Sequence, residues 1–299
     1  MSAFILKIVR NIVLSAFYLL PPFFSFGQEY LPISNGEIVH HTYYTLSYSE
    51  DYEQANWVYY KLRPEHVLSW TIRRNYFKPD TLVSTYSAEL KDYKGNGYDR
   101  GHLCPAAAMK INQVAIKESF LMSNISPQHP GFNKGIWKEL EKRVRYWTYK
   151  EKELHVVTGP IFDEIIDWIG DNKVAVPGSY FKVIFDPTDD LKMLAFILPN
   201  KKIDDPLTNY VVSVDSVESR TGINFFSQLE LHLQDSLKSN SDYSLWYSKK
   251  YKLPFFYHAN SEVKQCNGIS KYTNERCKSR TSNKNGYCTK HQYQNVKEH

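Results

Sequence analysis

Hydrophobic and polar positions recur with readable periods along much of the chain. The run Asn56-Trp57-Val58-Tyr59-Tyr60-Lys61-Leu62 alternates and is rich in aromatic residues, the pattern of a strand. Leu154 to Pro160 is apolar and predicts a buried strand closed by the Gly159-Pro160 break. Ser179 to Asp186 and Leu194 to Leu198 predict two further strands, the first closed by Asp186-Pro187. Trp137, Leu140, Val144 and Trp147 fall at helical spacing with charges between them. They predict one helix over 133–150, its start punctuated by Pro127, Pro130 and Gly131. Asn224 to Leu237 predicts a last helix, whereas residues 28–55 are polar and turn-rich, and Arg73 to Asp80 ends in a Pro79-Asp80 turn signal. Strands and helices alternate irregularly without an internal repeat. The pattern therefore predicts a mixed α+β domain over roughly 40–250, with a composition break near residue 258.

Hydrophobic residues make up 42% of the 299, enough for a large core, which excludes a globally disordered chain. The formal charge of +5 is unevenly spread: residues 259–299 carry eight Lys and Arg against three Glu, so the whole excess lies in that tail. A neutral body excludes a uniformly cationic nucleic-acid coat, and a basic tail can add phosphate affinity. At the other end, Lys7 and Arg10 precede an apolar stretch from Ile12 to Phe24, and Ser25-Phe26-Gly27 puts small residues where a signal peptidase reads them. The stretch is short for a membrane span and is interrupted by Pro21-Pro22. The expected organisation is a signal peptide over 1–27, a main domain over 28–258 and a basic tail over 259–299. Cleavage near Gly27 would leave a secreted or periplasmic protein without stable membrane association; an uncleaved N-terminal anchor is the alternative.

The candidate chemistry is concentrated in one stretch. Asp99-Arg100-Gly101-His102 follows the Gly95-Asn96-Gly97 loop, and Asn133 and Glu141 lie on the expected helix. Hydrolysing a phosphodiester needs a base for water, positive charge at phosphorus and stabilisation of the leaving oxygen. Histidine suits the first role at neutral pH. In an extended segment, alternation would put Arg100 and His102 on one face. Gly101 would let the backbone come close to substrate. On a continuous helix Asn133 and Glu141 would differ by about 12 Å of rise and about 80° of rotation. Asn133 then reads as a direct ligand and Glu141 as a holder of metal-bound waters, a site with few protein ligands that suits Mg²⁺, which keeps its waters. Asp99 is expected to be a turn residue and Asn124 and Gln128 loop supports. Trp137 and Cys104 are expected to be buried, and His129 is read as a loop histidine.

These residues carry a resemblance. Tyr98-Asp99-Arg100-Gly101-His102-Leu103-Cys104-Pro105-Ala106 resembles the signature of the DNA/RNA non-specific endonucleases, a ββα-metal family. The similarity continues through Ser123-Asn124-Ile125-Ser126-Pro127-Gln128, the Asn133, Trp137 and Glu141 helix, and Thr158-Gly159-Pro160. It then runs through Val176-Pro177 and Phe196-Ile197-Leu198-Pro199-Asn200 to Glu218-Ser219-Arg220-Thr221-Gly222, so it spans about 55–235 in the family's order. The resemblance implies a ββα-metal nuclease fold with a central mixed or antiparallel sheet flanked by helices. It implies that His102 activates the attacking water, Asn133 is the direct protein ligand to a hydrated Mg²⁺ (or Mn²⁺), and Glu141 fixes the water shell. It further implies that Arg100 stabilises the phosphate. A second, upstream arginine contacts the scissile phosphate in the family; Arg73 and Arg74 both stand where it is expected, and spacing does not choose between them. DNA and RNA are the implied substrates, cut to 5′-phosphate ends through backbone rather than base contacts. The alternatives are a nucleic-acid-binding module without turnover and a narrower phosphodiesterase acting on small nucleotides.

In the tail, Cys266, Cys277 and Cys288 are evenly spaced, and Cys288-Thr289-Lys290-His291 adds a Cys-x-x-His. Three thiols and an imidazole form a closed tetrahedral donor set of the kind structural Zn²⁺ takes. The segment is too short to bury a useful core and needs a staple. An oxidising compartment would favour disulfides instead, but pairing all four cysteines would have to recruit Cys104 from the Asp-Arg-Gly-His stretch and leave the Cys-x-x-His without a purpose. The residues favour zinc.

Overall fold

The computed structural model describes residues 30–69, 71–73, 75–188, 191–247, 264–270, 273–281, 286–288, 291 and 294. The expected signal peptide and the expected boundary near residue 258 lie outside the described residues. The main structure is one antiparallel sheet. Its strands are β1 (Glu37–His40), β2 (Thr45–Ser49), β3 (Gln54–Leu62), β6 (Leu154–Ile169), β7 (Val174–Asp186), β8 (Lys192–Pro199) and β9 (Val211–Val212), hydrogen-bonded in that order. Between β3 and β6 the chain leaves the sheet to form a two-stranded antiparallel ribbon, β4 (Asp99–His102) with β5 (Ile125–Gln128). This excursion also holds the helices α1 (Gln113–Ser119) and α2 (Lys138–Glu151). Helices α3 (Val214–Thr221) and α4 (Leu231–Ser239) follow the sheet. No helix among the described residues is long and apolar enough to cross a membrane.

Both faces of the sheet are covered, which is why β7 reads as a nearly continuous apolar run rather than an alternating one. On one face, Tyr180 and Ile184 join Val58, Tyr60, Phe196 and Leu198 against the Trp137, Leu140, Val144 and Trp147 stripe of the helical layer. On the other, Phe181 and Phe185 meet Phe225 and Phe226 at ring-centroid distances of 5.5 and 5.0 Å. Trp147 donates its indole N–H to the Trp246 carbonyl at 2.7 Å, so this tryptophan of the stripe is buried with its polar atom satisfied.

The sequence expectations for Asn56–Leu62, Ser179–Asp186 and Leu194–Leu198 coincide with β3, β7 and β8. Others are corrected. The polar stretch 28–55 contains the edge strand β1 and its neighbour β2, short strands whose few apolar residues, such as Val39, Leu46 and Tyr48, are interleaved with polar ones. The strand expected to stop at Gly159-Pro160 runs on to Ile169, because β3 pairs with β6 only as far as Val58–Thr158 and Pro160 lies past that edge. Gly159 is required where β3 passes, since a Cβ there would fall 2.2 Å from the Asn56 carbonyl oxygen. The last helix begins at Leu231 rather than Asn224, which instead exchanges two backbone hydrogen bonds with Ile33 at 2.9 and 3.0 Å. Helix α3 was not anticipated; it is capped by Ser213 and ended by Gly222 in the left-handed region at φ 68°.

Most consequential is the break in the helix expected over 133–150. A wide turn at Asn133–Trp137 contains Gly135 at φ −97° and ψ −114°, and regular helix resumes only at Lys138. Asn133 and Glu141 are therefore not related by helical rise and rotation. A glycine accepts this backbone shape without side-chain cost.

Candidate active site

The ribbon β4–β5 and the following turn assemble the chemistry. Asp99 pairs in register with Gln128, Arg100 with Pro127, Gly101 with Ser126 and His102 with Ile125. Arg100 and His102, two apart on a strand, share a face as their spacing predicted. The Arg100 guanidinium lies 4.8 Å from the Phe77 ring centroid, and the His102 ring is 5.9 Å from the same ring. Phe77 meets Phe120 edge-on at 5.0 Å, and Phe120 receives the His102 ring edge-on at 4.8 Å. Arg73 places its guanidinium 5.2 Å from the Phe120 centroid. Two aromatic rings thus hold one imidazole and two guanidinium groups. Cation–π attraction helps fix both cations, neither of which forms an ion pair among the described residues. Arg73 stands at this site, and Arg74 lies outside the described residues.

Gly101 has a different reason from the expected one. A Cβ at this position would come within 2.1 Å of the Gln128 side chain, so the glycine makes room for a residue diagonally across the ribbon. Asn124 holds the exit of β4. It accepts from the Cys104 N–H at 2.8 Å and donates to the Cys104 and Ser119 carbonyls at 3.0 and 2.9 Å. Cys104 and Trp137 are fully buried, as expected. Burial pushes the Cys104 thiol up, leaving it a packing residue. His129 accepts the Gly131 N–H at 3.0 Å through Nδ1 and so starts the next turn.

His102 is half-buried, and its Nε2 is a buried atom with no hydrogen-bond partner among the described residues. Burial first, and the Arg73 guanidinium second, lower its pKa from 6.5 to about 3. The imidazole is therefore neutral at physiological pH, with a lone pair free to accept a proton.

Asn133 is half-buried at the start of the kinked turn. Its Nδ2 donates to Asp99 Oδ2 at 3.0 Å, and Lys134 Nζ lies 2.8 Å from the same carboxylate oxygen. Asp99 was expected to be a turn residue, but it stands in β4 and orients the Asn133 amide. Oδ1 of Asn133 makes no hydrogen bond among the described residues, so the hard oxygen is the end left for a cation. Glu141 likewise has no direct hydrogen-bond or ion-pair partner among them. Burial raises its pKa, opposed by Arg145, Lys182, Arg73 and Lys138 in that order. A hydrated cation would relieve this burial penalty. An amide oxygen and a carboxylate unpartnered among the described residues are hard oxygen donors of the kind a divalent ion takes.

Several groups around Glu141 escaped the sequence reading. Arg145 stands one helical turn beyond Glu141, a spacing that could have flagged it. Lys182 could not be found this way, because it sits inside the apolar run of β7. It is fully buried, with Nζ 4.5 Å from the Trp137 ring centroid and 3.4 Å from the Tyr60 hydroxyl, and burial pulls it down to about 8. Asn200 explains the Pro199-Asn200 motif: it donates to the Pro127 and Pro177 carbonyls at 3.1 and 3.0 Å and accepts from the His129 N–H at 2.8 Å. That motif joins β5, β7 and β8 behind the site.

Residues 25–232 match the sequence profile described as DNA/RNA non-specific endonuclease. The chain belongs to that family. It is 34% identical over 198 residues to human mitochondrial endonuclease G, a match covering 61% of this chain and 67% of that protein. It is 36% identical over 211 residues to nuclease C1 of Cunninghamella echinulata var. echinulata, covering 63% and 82% respectively. Its fold is similar to that in a solved EndoG/EndoGI complex, a structure concerned with the mechanism of EndoG inhibition. The TM-score is 0.62 at 31% identity, over 66% of this chain and 88% of that one. The ribbon β4–β5 with the helical segment after it is thus the ββα-metal unit, and the family is one of metal-dependent endonucleases.

The tail forms a separate cluster. Cys266, Cys277, Cys288 and His291 bring one donor atom each to within 4.8 Å of one another. The Cys277 and Cys288 sulfurs are 4.0 Å apart, and Nδ1 of His291 is 3.5 Å from Cys266 Sγ and 3.3 Å from Cys288 Sγ. A tetrahedral Zn²⁺ with ordinary bond lengths would set sulfur–sulfur edges near 3.8 Å and sulfur–nitrogen edges near 3.6 Å, by rough geometry. Backbone N–H groups of Gly268 and Cys288 point at Cys266 Sγ at 3.3 and 3.1 Å, and that of Ser279 at Cys277 Sγ at 3.4 Å. Such donors favour thiolates, so the residues fit a metal.

Proposed function

We propose that the mature protein is an exported, Mg²⁺-dependent endonuclease that hydrolyses DNA and RNA to 5′-phosphate ends. The observation that carries the reading is the neutral His102, its Nε2 buried and unpartnered, grouped on the Phe77 and Phe120 rings with two guanidinium groups that form no ion pair among the described residues. Arg73 and Arg100 hold the scissile phosphate. His102 takes a proton from water as the water oxygen attacks phosphorus, and the bond from phosphorus to the 3′ oxygen breaks. Asn133 Oδ1 would hold the divalent ion, with Glu141 accepting hydrogen bonds from its waters. When bound, the ion supplies positive charge at the phosphate and the leaving oxygen. Because the contacts are to backbone, sugar and sequence matter little.

Export rests on the charged start, the apolar stretch and the small residues at 25–27, although the human relative is described as mitochondrial. The test is digestion of plasmid and RNA by protein beginning at Gln28, the N-terminus that sequencing of exported material should return. Both polymers are expected to disappear with Mg²⁺ and to survive chelation. Intact polymers in Mg²⁺ would overturn the reading.

The tail is proposed to be a zinc module that adds phosphate affinity through its basic residues. Purified protein is expected to hold one equivalent of zinc, lost in Cys288→Ser. A wild-type tail without zinc, or with its cysteines joined as disulfides by mass spectrometry, would reject this assignment.

A further inference from the structure

A cavity lies beside the arginine and histidine site. It has a volume of about 300 Å³ and is lined by Ile72, Tyr76, Gln113, Ile116 and Lys117. Ile72 and Tyr76 flank Arg73 on the same segment and expose 37% and 53% of their surfaces. The opposite wall is helix α1, tied to that segment by Gln113 Nε2 donating to the Ile72 carbonyl at 3.4 Å. Ile116 forms the floor. It is buried in one cluster with Phe120 and Phe77, the rings that carry His102 and both arginines, so the cavity is one packing layer from the proposed scissile phosphate. Lys117 is exposed at the rim and makes no ion pair among the described residues.

We propose that this cavity takes a nucleobase of the bound strand next to the cut, with Tyr76 stacking on the base and Lys117 meeting the neighbouring phosphate. The inference rests on the nuclease reading and adds a substrate subsite to it. The lining selects this occupant. An anion alone would gain nothing from the exposed faces of Ile72 and Tyr76, and an apolar ligand would not use Lys117. A nucleotide presents a flat apolar face and a negative charge together. Stacking tolerates any base because every base has a π-face, so such a subsite adds affinity and register without sequence preference. An exposed tyrosine beside a catalytic segment then has a role that core packing does not give it.

End-labelled single-stranded oligonucleotides carrying one abasic position test this, with cleavage at each bond read separately. In wild-type protein, an abasic position beside the cut is expected to lower kcat/KM at that bond by about tenfold. In Tyr76→Ala the intact strand is cut more slowly, and the abasic lesion at the same position has little further effect. Tyr76→Phe, which keeps the ring, retains the dependence on the base. An abasic penalty equal in wild type and Tyr76→Ala at every position would overturn the subsite while leaving the nuclease reading standing. Failure of wild type to cut even the intact strand would overturn both.

Discussion

Alanine at position 102 is expected to slow phosphodiester hydrolysis by about 10²–10⁴-fold, the usual worth of a positioned general base. The loss should fall on kcat. Arg73 and Arg100 are held over Phe120 and Phe77, so phosphate binding survives removal of the imidazole and KM should move little. A wild-type rate in His102→Ala would remove the histidine from the mechanism. The same residue predicts an unusual pH profile. Burial and Arg73 place His102 at about 3, so it remains an unprotonated base well into acid. The acid limb of kcat/KM, which reports the free enzyme, should then lie well below the 6.5 of an ordinary histidine when metal is kept saturating. A limb at 6.5 or above would contradict the environment described. Stability carries the opposite signature. Between about pH 3 and 6.5 the unfolded chain binds a proton at His102 that the folded chain does not. This group's contribution therefore favours unfolding as pH falls through 6.5, and thermal denaturation should show that slope diminished in His102→Ala.

The parts of this site written in short range were legible in the sequence. Arg100 and His102 share a face because they are two apart on a strand, and Trp137, Leu140, Val144 and Trp147 reach the core because helical spacing puts them there. What joins distant segments was not legible. Phe77 and Phe120 meet only in the fold, and nothing local in either stretch marks them as the support for the arginines. Gly101 looked like an opening to substrate, but its neighbour is Gln128 across the ribbon. Lys182 hides in β7 because the residues around it must be apolar on both faces of a covered sheet. The kink at Gly135 was missed for a related reason: a single glycine inside a helical hydrophobic period leaves the period intact while the backbone departs from it.

That kink bears on the second large effect. Asn133→Ala is expected to reduce Mg²⁺-dependent cleavage by at least about 100-fold, more than is usual when an outer support of a metal ligand is lost. Three features aim the Asn133 oxygen. Asp99 accepts from Nδ2 at 3.0 Å, Lys134 balances the charge of Asp99, and Gly135 turns the chain between Asn133 and Glu141. Because Asn133 is half-exposed and outside the core, the variant should melt near the wild-type temperature. The deficit should appear as a shift of the Mg²⁺ titration to higher concentration together with a lower plateau. Asp99→Asn supplies the control. It removes the negative charge that orients the amide while leaving Asn133 in place, so it should also shift the Mg²⁺ titration, but by less. If Asn133→Ala kept both the wild-type plateau and the wild-type Mg²⁺ dependence, this amide would not be a metal ligand. Glu141, the other unpartnered oxygen group near the site, would then have to hold the ion directly.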